Sequence, residues 1–394
     1  MKIGIDYTSA VWQGAGIGRY TRELIRAVVS QSRSFEYVLF YAARGLNERQ
    51  HFLSDLRRLQ ADFPHVRTAP IPLSPRRLTQ FWQRLRVPLP VEVFTGRIDV
   101  LHAPDFVMPP TRAPALVTVH DLSFLVYPQF AARGMARYLS DAVPRSVRRA
   151  SMVLADSEAT RHDLGRFLHL PPERVTVVYP GVSPAFQPLP PEVYEPVRRN
   201  YGLTNDFLLF VSTLSPRKNI VRIVEAFAAL IADGQRPTLD LVLVGQRGWM
   251  YEEIFAIIER LQLGERVRLL DFVNDSDLPA LYNAAVACVY PSLYEGFGLP
   301  ALEALACGTP LVTAHNSSLT EIAEGVAVLA DAQDTASIAN GISRVLDDAD
   351  LRARFRAAGL ERAKQFTWER AAEQVLACYQ QLHAQPRPRA GRSF

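Results

Sequence analysis

The feature that most constrains this chain is an alternation that runs through nearly its whole length and restarts near the middle. Short apolar runs rich in β-branched or aromatic residues alternate with segments of helical periodicity. In the first half the strand-like runs cover residues 2–7, 37–41, 100–102, 115–119, 152–156 and 175–179, and a helical stretch follows the first of them at about 18–30. In the second half the strand-like runs are 207–212, 239–244, 267–272, 286–290 and 310–313. Helical segments lie between them at 220–232, 251–261, 278–285 and 300–306. A strand that gives way to a helix and then to another strand folds into a parallel sheet covered on both faces. The expectation is an α/β protein of two Rossmann-like, doubly wound domains. Ligands in such sheets sit at the carboxyl ends of strands, so the loops after the strands carry the chemistry.

A chain of 394 residues fits two domains. Between 183 and 196 stand Pro184, Pro188, Pro190, Pro191 and Pro196, a density that predicts an extended connector. The expected divisions are a first domain over 1–183 and a second over 184–365. A last helix over 366–384 packs back on the first domain, and a Pro/Arg-rich disordered tail covers 385–394. Hydrophobic residues at 48% and charged residues at 21% exclude a disordered, collagen-like or coiled-coil chain. No apolar run reaches the ~18 residues of a membrane span. The N-terminus enters a strand at once, without an apolar leader segment. Three cysteines (Cys288, Cys307 and Cys378) are too few and too scattered for a disulfide framework or a zinc site, so a cytoplasmic location is expected.

Charge is uneven. Residues 1–183 hold 24 Lys and Arg against 15 Asp and Glu, a surplus of nine; the remainder holds 20 against 25, a deficit of five. A basic half suits an anionic surface or substrate as well as a solvated, arginine-rich exterior.

Two stretches carry the strongest chemical signal. In Pro291-Ser-Leu-Tyr-Glu295-Gly-Phe-Gly298-Leu-Pro300-Ala-Leu-Glu303, two glutamates flank a glycine-containing turn that opens a short helix. Pro300 suits the first helical turn, and free N–H groups there attract an anion. Carboxylates on either side of an anion-binding turn make sense when the ligand carries hydroxyls on both sides of its phosphates, as a nucleotide sugar does. The second stretch, Ser212-Thr213-Leu-Ser-Pro-Arg217-Lys218-Asn219, follows a strand directly. Its two cations stand at a helix start, against the dipole, which argues for a bound pyrophosphate over a structural motive.

Together these stretches resemble the retaining glycosyltransferases of family 4, which have the GT-B fold of two facing Rossmann-like domains. Further matching pieces are AGIGRYTREL at 15–24, VHDLSFL at 119–125, ADSEATRHDL at 155–164, YPGV at 179–182 and LVLVGQRGW at 241–249. Within the family, STLSPRKN looks most like bacterial mannosyltransferases that build polysaccharide and O-antigen chains. The resemblance implies roles by position. Glu295 contacts the donor sugar; Phe297, Gly298 and Leu299 offer backbone N–H groups; Glu303 holds the ribose; Lys218 binds phosphate. Phe272 and Val273 meet the base, Ser212, Thr213, Gly245 and Arg247 line the cleft, and Gly16 and Gly18 touch the distal phosphate or sugar. His120 matches an active-site histidine. The family's arginine five positions before the lysine is replaced here by Thr213, and Arg217 is the candidate to supply its charge.

The implied activity is hexosyl transfer with retention, from GDP-mannose to a saccharide or lipid-linked saccharide, with no metal or cofactor. A UDP- or dTDP-sugar donor and a non-catalytic nucleotide-sugar-binding protein are the alternatives. An oxidoreductase is excluded because Arg19 occupies the third glycine position of the dinucleotide fingerprint. Asp275 with Asp277, and Asp348 with Asp350, read as helix caps instead of metal ligands. Arg76, Arg77, Trp82, Arg84 and Arg86 form a basic aromatic patch suited either to an anionic membrane or to a core-covering helix. Nucleic acid is not an expected partner.

Overall fold

The structure is a computed structural model, and it describes residues 1–384 apart from 15, 48–50, 233 and 272. The expectations for the tail at 385–394 and for Phe272 lie outside the described residues. The chain packs as two compact units. The first comprises Met1–Val126, Arg133–Gly181 and the chain from Trp368 onward; the second comprises Tyr127–Ala132 and Val182–Thr367.

The first unit holds a seven-stranded parallel sheet: β1 (Lys2–Asp6), β2 (Glu36–Ala42), β3 (Val66–Ile71), β4 (Val100–Ala103), β5 (Ala115–Val119), β6 (Met152–Ala155) and β7 (Val175–Val177). Their spatial order is β3-β2-β1-β4-β5-β6-β7. The order reverses between β1 and β4, where Ile3 pairs with Val100 and Ile5 with His102. Alternation along each strand divides the core in two. Ile3, Ile5, Tyr37, Leu39, Leu116 and Leu154 enter one apolar cluster. Phe40, Leu101, Val117, Val119 and Val153 enter the other. The final helix, Trp368–Ala384, belongs to the first cluster through Trp368, Val375, Tyr379 and Leu382. The Tyr379 hydroxyl also lies 2.6 Å from Nδ1 of the fully buried His102 in β4. Burial of each large apolar side chain contributes about 1.5–3 kcal/mol, enough for four of them to anchor this helix.

The second unit holds β8 (Asp206–Val211), β9 (Leu239–Val244), β10 (Val267–Leu270), β11 (Ala287–Tyr290), β12 (Leu311–Ala314) and β13 (Val328–Ala330). All six are parallel, in the order β10-β9-β8-β11-β12-β13, so the reversal falls between β8 and β11. Strands β8, β9, β11 and β12 are almost wholly buried, as a doubly covered parallel sheet requires.

Several expectations need correction. Residues 191–200 are a helix, Pro191–Asn200, not an extended connector. Pro191 stands at its first turn, where a missing N–H is harmless, and Pro196 removes only one internal bond. Strands β3 and β13 were not expected: β3 alternates weakly at the sheet edge, and β13 has three residues. Gly16 and Gly18 both lie in the first turn of the helix Gly16–Gln31, which starts two residues before the expected 18. Asp348 caps its helix by accepting from the Leu351 N–H at 2.8 Å, but Asp277 does not cap; it accepts from the Tyr201 hydroxyl at 2.9 Å. Trp82 is not on the surface. It is 7% exposed, donates from Nε1 to the Leu89 carbonyl at 3.0 Å, and packs edge-on against Phe94.

Candidate active site

In the second unit the site forms where β8 and β11 end side by side. The loop after β8 runs through Ser212 and Thr213 and turns at Pro216–Lys218, and Asn219 takes a left-handed conformation at φ 63°. The loop after β11 begins at Pro291. The Asn219 side-chain amide clamps the two, donating to the carbonyls of Pro291 at 2.9 Å and Ala332 at 2.7 Å. The Leu293 N–H adds a bond to the Arg217 carbonyl at 2.9 Å.

This framework brings Arg217, Lys218 and Glu295 together. Lys218 Nζ donates to Glu295 Oε1 at 2.6 Å and to the Tyr290 hydroxyl at 2.7 Å. The Tyr290 hydroxyl in turn donates to Oε1 at 2.9 Å. Arg217 Nη1 donates to Oε2 at 2.9 Å and to the Tyr294 carbonyl. Glu295 is 6% and Lys218 9% exposed. Burial by itself raises the Glu295 pKa, but the Arg217 and Lys218 charges outweigh it and lower the pKa from 4.5 to about 2. Glu295 is therefore a carboxylate at any physiological pH, and the three charged groups leave one net positive charge facing the loop ends. Tyr290 is the member that sequence reasoning missed. As the last residue of an apolar strand it gives no polar signal in the sequence.

The turn from Glu295 to Gly298 is braced from behind by the helix Ser317–Ala323. Ser317 Oγ accepts from the Glu295 N–H at 3.1 Å, and Ser318 Oγ donates to the carbonyls of Glu295 and Phe297 at 2.9 and 2.7 Å. Gly298 has φ 110°, and a Cβ there would lie 2.7 Å from Leu319 Cδ2. Only glycine suits both the backbone and the contact. The helix Leu299–Cys307 then starts with no side-chain cap and no acid in its first turn; Pro300 has no N–H, the Ala301 and Leu302 N–H groups close onto the Gly298 carbonyl at 3.0 and 3.2 Å, and the positive end of the helix dipole is left without a carboxylate partner in that turn. Glu303, 2% exposed, accepts from the Tyr282 hydroxyl at 3.0 Å. It is separately anchored from the Arg217–Lys218–Glu295 group.

The loops after β8 and β9 run alongside one another. The Leu214 N–H bonds the Gln246 carbonyl at 2.9 Å, and the Gly245 N–H bonds the Leu270 carbonyl at 3.1 Å. A Cβ on Gly245 would meet the Ser212 carbonyl oxygen at 1.9 Å. Ser212, Thr213, Gly245 and Arg247 thus share one wall. Arg247 pairs with Asp271 at 3.3 Å and lies over the Phe255 ring. Val273 follows β10 on the same sheet edge.

The other expected residues belong to the first unit. His120 directly follows β5 and is 7% exposed. Its Nδ1 lies 2.7 Å from Asp156 Oδ2, and its Nε2 lies 2.9 Å from the Pro104 carbonyl. A backbone carbonyl only accepts, and so does a carboxylate, so both ring nitrogens donate and the ring is an imidazolium. Burial lowers its pKa, but the Asp156 charge and hydrogen bond, with Asp105, raise it from 6.5 to about 9. Tyr20 and Phe106 meet the ring edge-on at 4.7 and 5.3 Å. Asp6 ends β1 and Asp105 follows β4 at the same sheet edge. Burial and the Asp105 charge push the Asp6 carboxyl up to about 6. Gly18 stands close under the Gln13 carbonyl, 2.0 Å from where a Cβ would be, and Gly16 borders open space. No cluster able to hold a metal ion occurs among the described residues.

Residues 196–362 match the family described as Glycosyl transferases group 1, and residues 14–186 match Glycosyltransferase Family 4. The chain is 32% identical over 379 residues to the O-antigen chain mannosyltransferase B of Escherichia coli, covering 93% of this chain and 96% of that one. It is 33% identical over 294 residues to a D-inositol 3-phosphate glycosyltransferase of Salinispora tropica, covering 70% and 61%. Among solved structures it resembles the sucrose-phosphate synthase of Thermosynechococcus elongatus, with a TM-score of 0.75, 24% identity and coverage of 98% and 99%. It also resembles Anabaena HepE in complex with UDP and glucose, with a TM-score of 0.76, 20% identity and coverage of 96% and 99%. The latter two show the GT-B fold.

Proposed function

The chain belongs to the family 4 glycosyltransferases, and from that premise we propose that it transfers mannose from GDP-mannose to a saccharide acceptor of a cell-surface polysaccharide. The observation that carries this reading is the Arg217–Lys218–Glu295 group beside an uncapped helix start. Cations and the positive end of a helix suit a diphosphate, and a carboxylate kept ionised accepts hydrogen bonds from sugar hydroxyls. The mannosyl assignment draws support from the O-antigen mannosyltransferase, which this chain matches over nearly its full length.

The chemistry required is charge management. As the bond from sugar to nucleotide diphosphate breaks, negative charge grows on the departing phosphate. Lys218 and Arg217, held in place by Glu295, and the positive end of Leu299–Cys307 are the groups we assign to stabilise that charge. Arg217 stands in for the arginine that Thr213 replaces, because it reaches the same Glu295 carboxylate as Lys218. With two cations and a helix dipole present, the reaction is expected to run without a metal ion.

Thermal-shift titration with GDP, UDP, dTDP and ADP, each with EDTA or magnesium, tests the reading. Ligand at 100 times its Kd adds about 2.7 kcal/mol of stability, a shift of several degrees. A GDP-selective shift that survives EDTA is the expected result. A shift confined to UDP or dTDP replaces the donor, and no shift with any nucleotide overturns the donor-site assignment.

A further inference from the structure

A short segment from the first half of the sequence packs with the second unit. Val126 and Arg133 belong to the first unit, but Tyr127–Ala132 between them belongs to the second. The local sequence explains the shape of this strap. Pro128 keeps Tyr127 out of the helical region and presets φ for a single 3-10 turn, Pro128–Phe130. The Phe130 N–H closes the turn on the Tyr127 carbonyl at 3.0 Å. Side chains three positions apart eclipse in such a turn. Tyr127 and Phe130 therefore stand on one side, with ring centroids 5.6 Å apart and an interplanar angle of 13°. Both are half-buried, whereas Pro128 and Gln129 between them are exposed.

The strap is fastened at two points to the loops that carry the donor chemistry. Trp249, in the loop after β9, donates from Nε1 to the Phe130 carbonyl at 2.6 Å. Tyr294, in the loop after β11, meets the Tyr127 ring with centroids 6.2 Å apart. In the sheet β8 lies between β9 and β11, so the strap bridges the two loops that flank the Arg217–Lys218 loop. The β9 loop is itself laced to that middle loop: the Gly248 N–H bonds the Leu214 carbonyl at 3.1 Å, and a Cβ on Gly248 would lie 2.7 Å from that oxygen. Directly after Trp249, Met250 has φ 53°, a strained backbone for a residue with a side chain. Strain of this kind persists where neighbouring contacts over-determine the chain.

Tyr294 links the strap to the charged group. It is 7% exposed and precedes Glu295, and its carbonyl accepts from Arg217 Nη1, which also donates to Glu295 Oε2 at 2.9 Å. The Arg217 guanidinium is thus aimed by the Tyr294 backbone as well as by the carboxylate. The strap carries no charged residue, so its effect on Arg217 is one of placement.

We propose that Tyr127 is a positioning residue of the donor site. Through Tyr294 it holds Arg217 where the departing diphosphate develops its charge, and Trp249 holds the strap in register. The inference rests on the glycosyltransferase reading and extends the donor site to a segment 90 positions before Arg217.

A double-mutant cycle on nucleotide affinity tests it, by calorimetric titration of the full chain with GDP, or with UDP or dTDP where the wild-type chain binds that instead. Tyr127→Leu is expected to weaken binding about fivefold, the scale of one lost aromatic pair. Tyr127→Phe keeps the ring and is expected to bind as the wild type does. Trp249→Phe removes only the indole N–H and is expected to weaken binding about threefold. Adding Tyr127→Leu to Arg217→Ala is expected to change affinity no further, because the cation that the strap aims is gone. A strap that only supports the fold lowers affinity by the same factor with and without Arg217, and that result overturns the proposal. So does wild-type affinity in both Tyr127→Leu and Trp249→Phe. A wild-type chain that binds none of the nucleotides overturns the donor reading and the strap's role with it, whereas binding that the strap variants leave intact overturns the strap alone.

Discussion

Lys218 and Glu295 are 77 positions apart in the sequence, yet their side chains meet at 2.6 Å. They meet because β8 and β11 are neighbours in the sheet, and the loops leaving those strands converge where the strand order reverses. The contact does more than join two loops. It keeps Glu295 ionised and holds both cations in place before any ligand arrives.

Glu295→Gln is therefore expected to affect stability as well as catalysis. Removing one partner of a buried charge group costs about 3–5 kcal/mol, and urea unfolding measures it. The wild-type pKa is depressed, so the stabilising contribution is full above about pH 4.5 and is lost as pH falls toward about 2. The glutamine variant should show a flatter stability profile over that range. If the variant loses kcat and nucleotide affinity with stability unchanged, the charge group is not what holds the two loops.

Tyr290→Phe removes a hydroxyl that accepts from Lys218 and donates to Glu295. The expected loss is about 1–3 kcal/mol of stability, with a fall in kcat of about tenfold, equivalent to 1.4 kcal/mol. KM for the donor should move little, since the phenol is buried behind the charged groups. A change confined to KM would place Tyr290 in direct contact with the donor.

Gly298→Ala forces a Cβ to within 2.7 Å of Leu319 Cδ2 at a φ of 110°. The combined strain is expected to cost about 1–3 kcal/mol and to loosen the turn before Leu299–Cys307. Adding Leu319→Ala relieves the clash without relieving the backbone. The double variant should recover donor affinity only in part, and full recovery would show that the positive φ is unimportant.

His120 supplies a prediction at the alkaline end. Its pKa is raised from 6.5 to about 9, so the folded chain holds a proton that the unfolded chain releases. The resulting stability is present in full below pH 6.5 and declines as pH rises through 9. The Tm of the wild-type chain should fall across that interval by more than the Tm of His120→Asn. Parallel profiles for the two would show that the ring is neutral in the folded state.

The two parallel sheets were legible because buried parallel strands are continuous apolar runs, and β8, β9, β11 and β12 are of that kind. Edge strands are not, which is why β3, with only Val66 and Ile71 buried, escaped notice. The helix Pro191–Asn200 was hidden for a different reason: proline density argues against a helix until one knows where its first turn falls. Trp82 shows the same limit on the surface. A Trp among arginines reads equally as a membrane contact or as a core anchor, and only its 3.0 Å bond to the Leu89 carbonyl and its packing on Phe94 decide for the core.

Local chemistry was determined by the sequence itself: which segments are strands, which turns need glycine, and which loops hold carboxylates and cations. These depend on neighbours a few positions away, and they sufficed to place Arg217, Lys218 and Glu295 in the loops after strands and Glu303 on the short helix that follows. Charge state and grouping were decided by the tertiary structure alone. That Glu295 pairs with Lys218 and Arg217 while Glu303 pairs with Tyr282 follows from strand order. That Tyr290 joins the group follows from burial beside Lys218 and Glu295, and that His120 is held as an imidazolium follows from the Asp156 carboxylate and the Pro104 carbonyl, which outweigh burial. Electrostatic energies grow as water is excluded, and which groups lose their water together is a property of the packed chain.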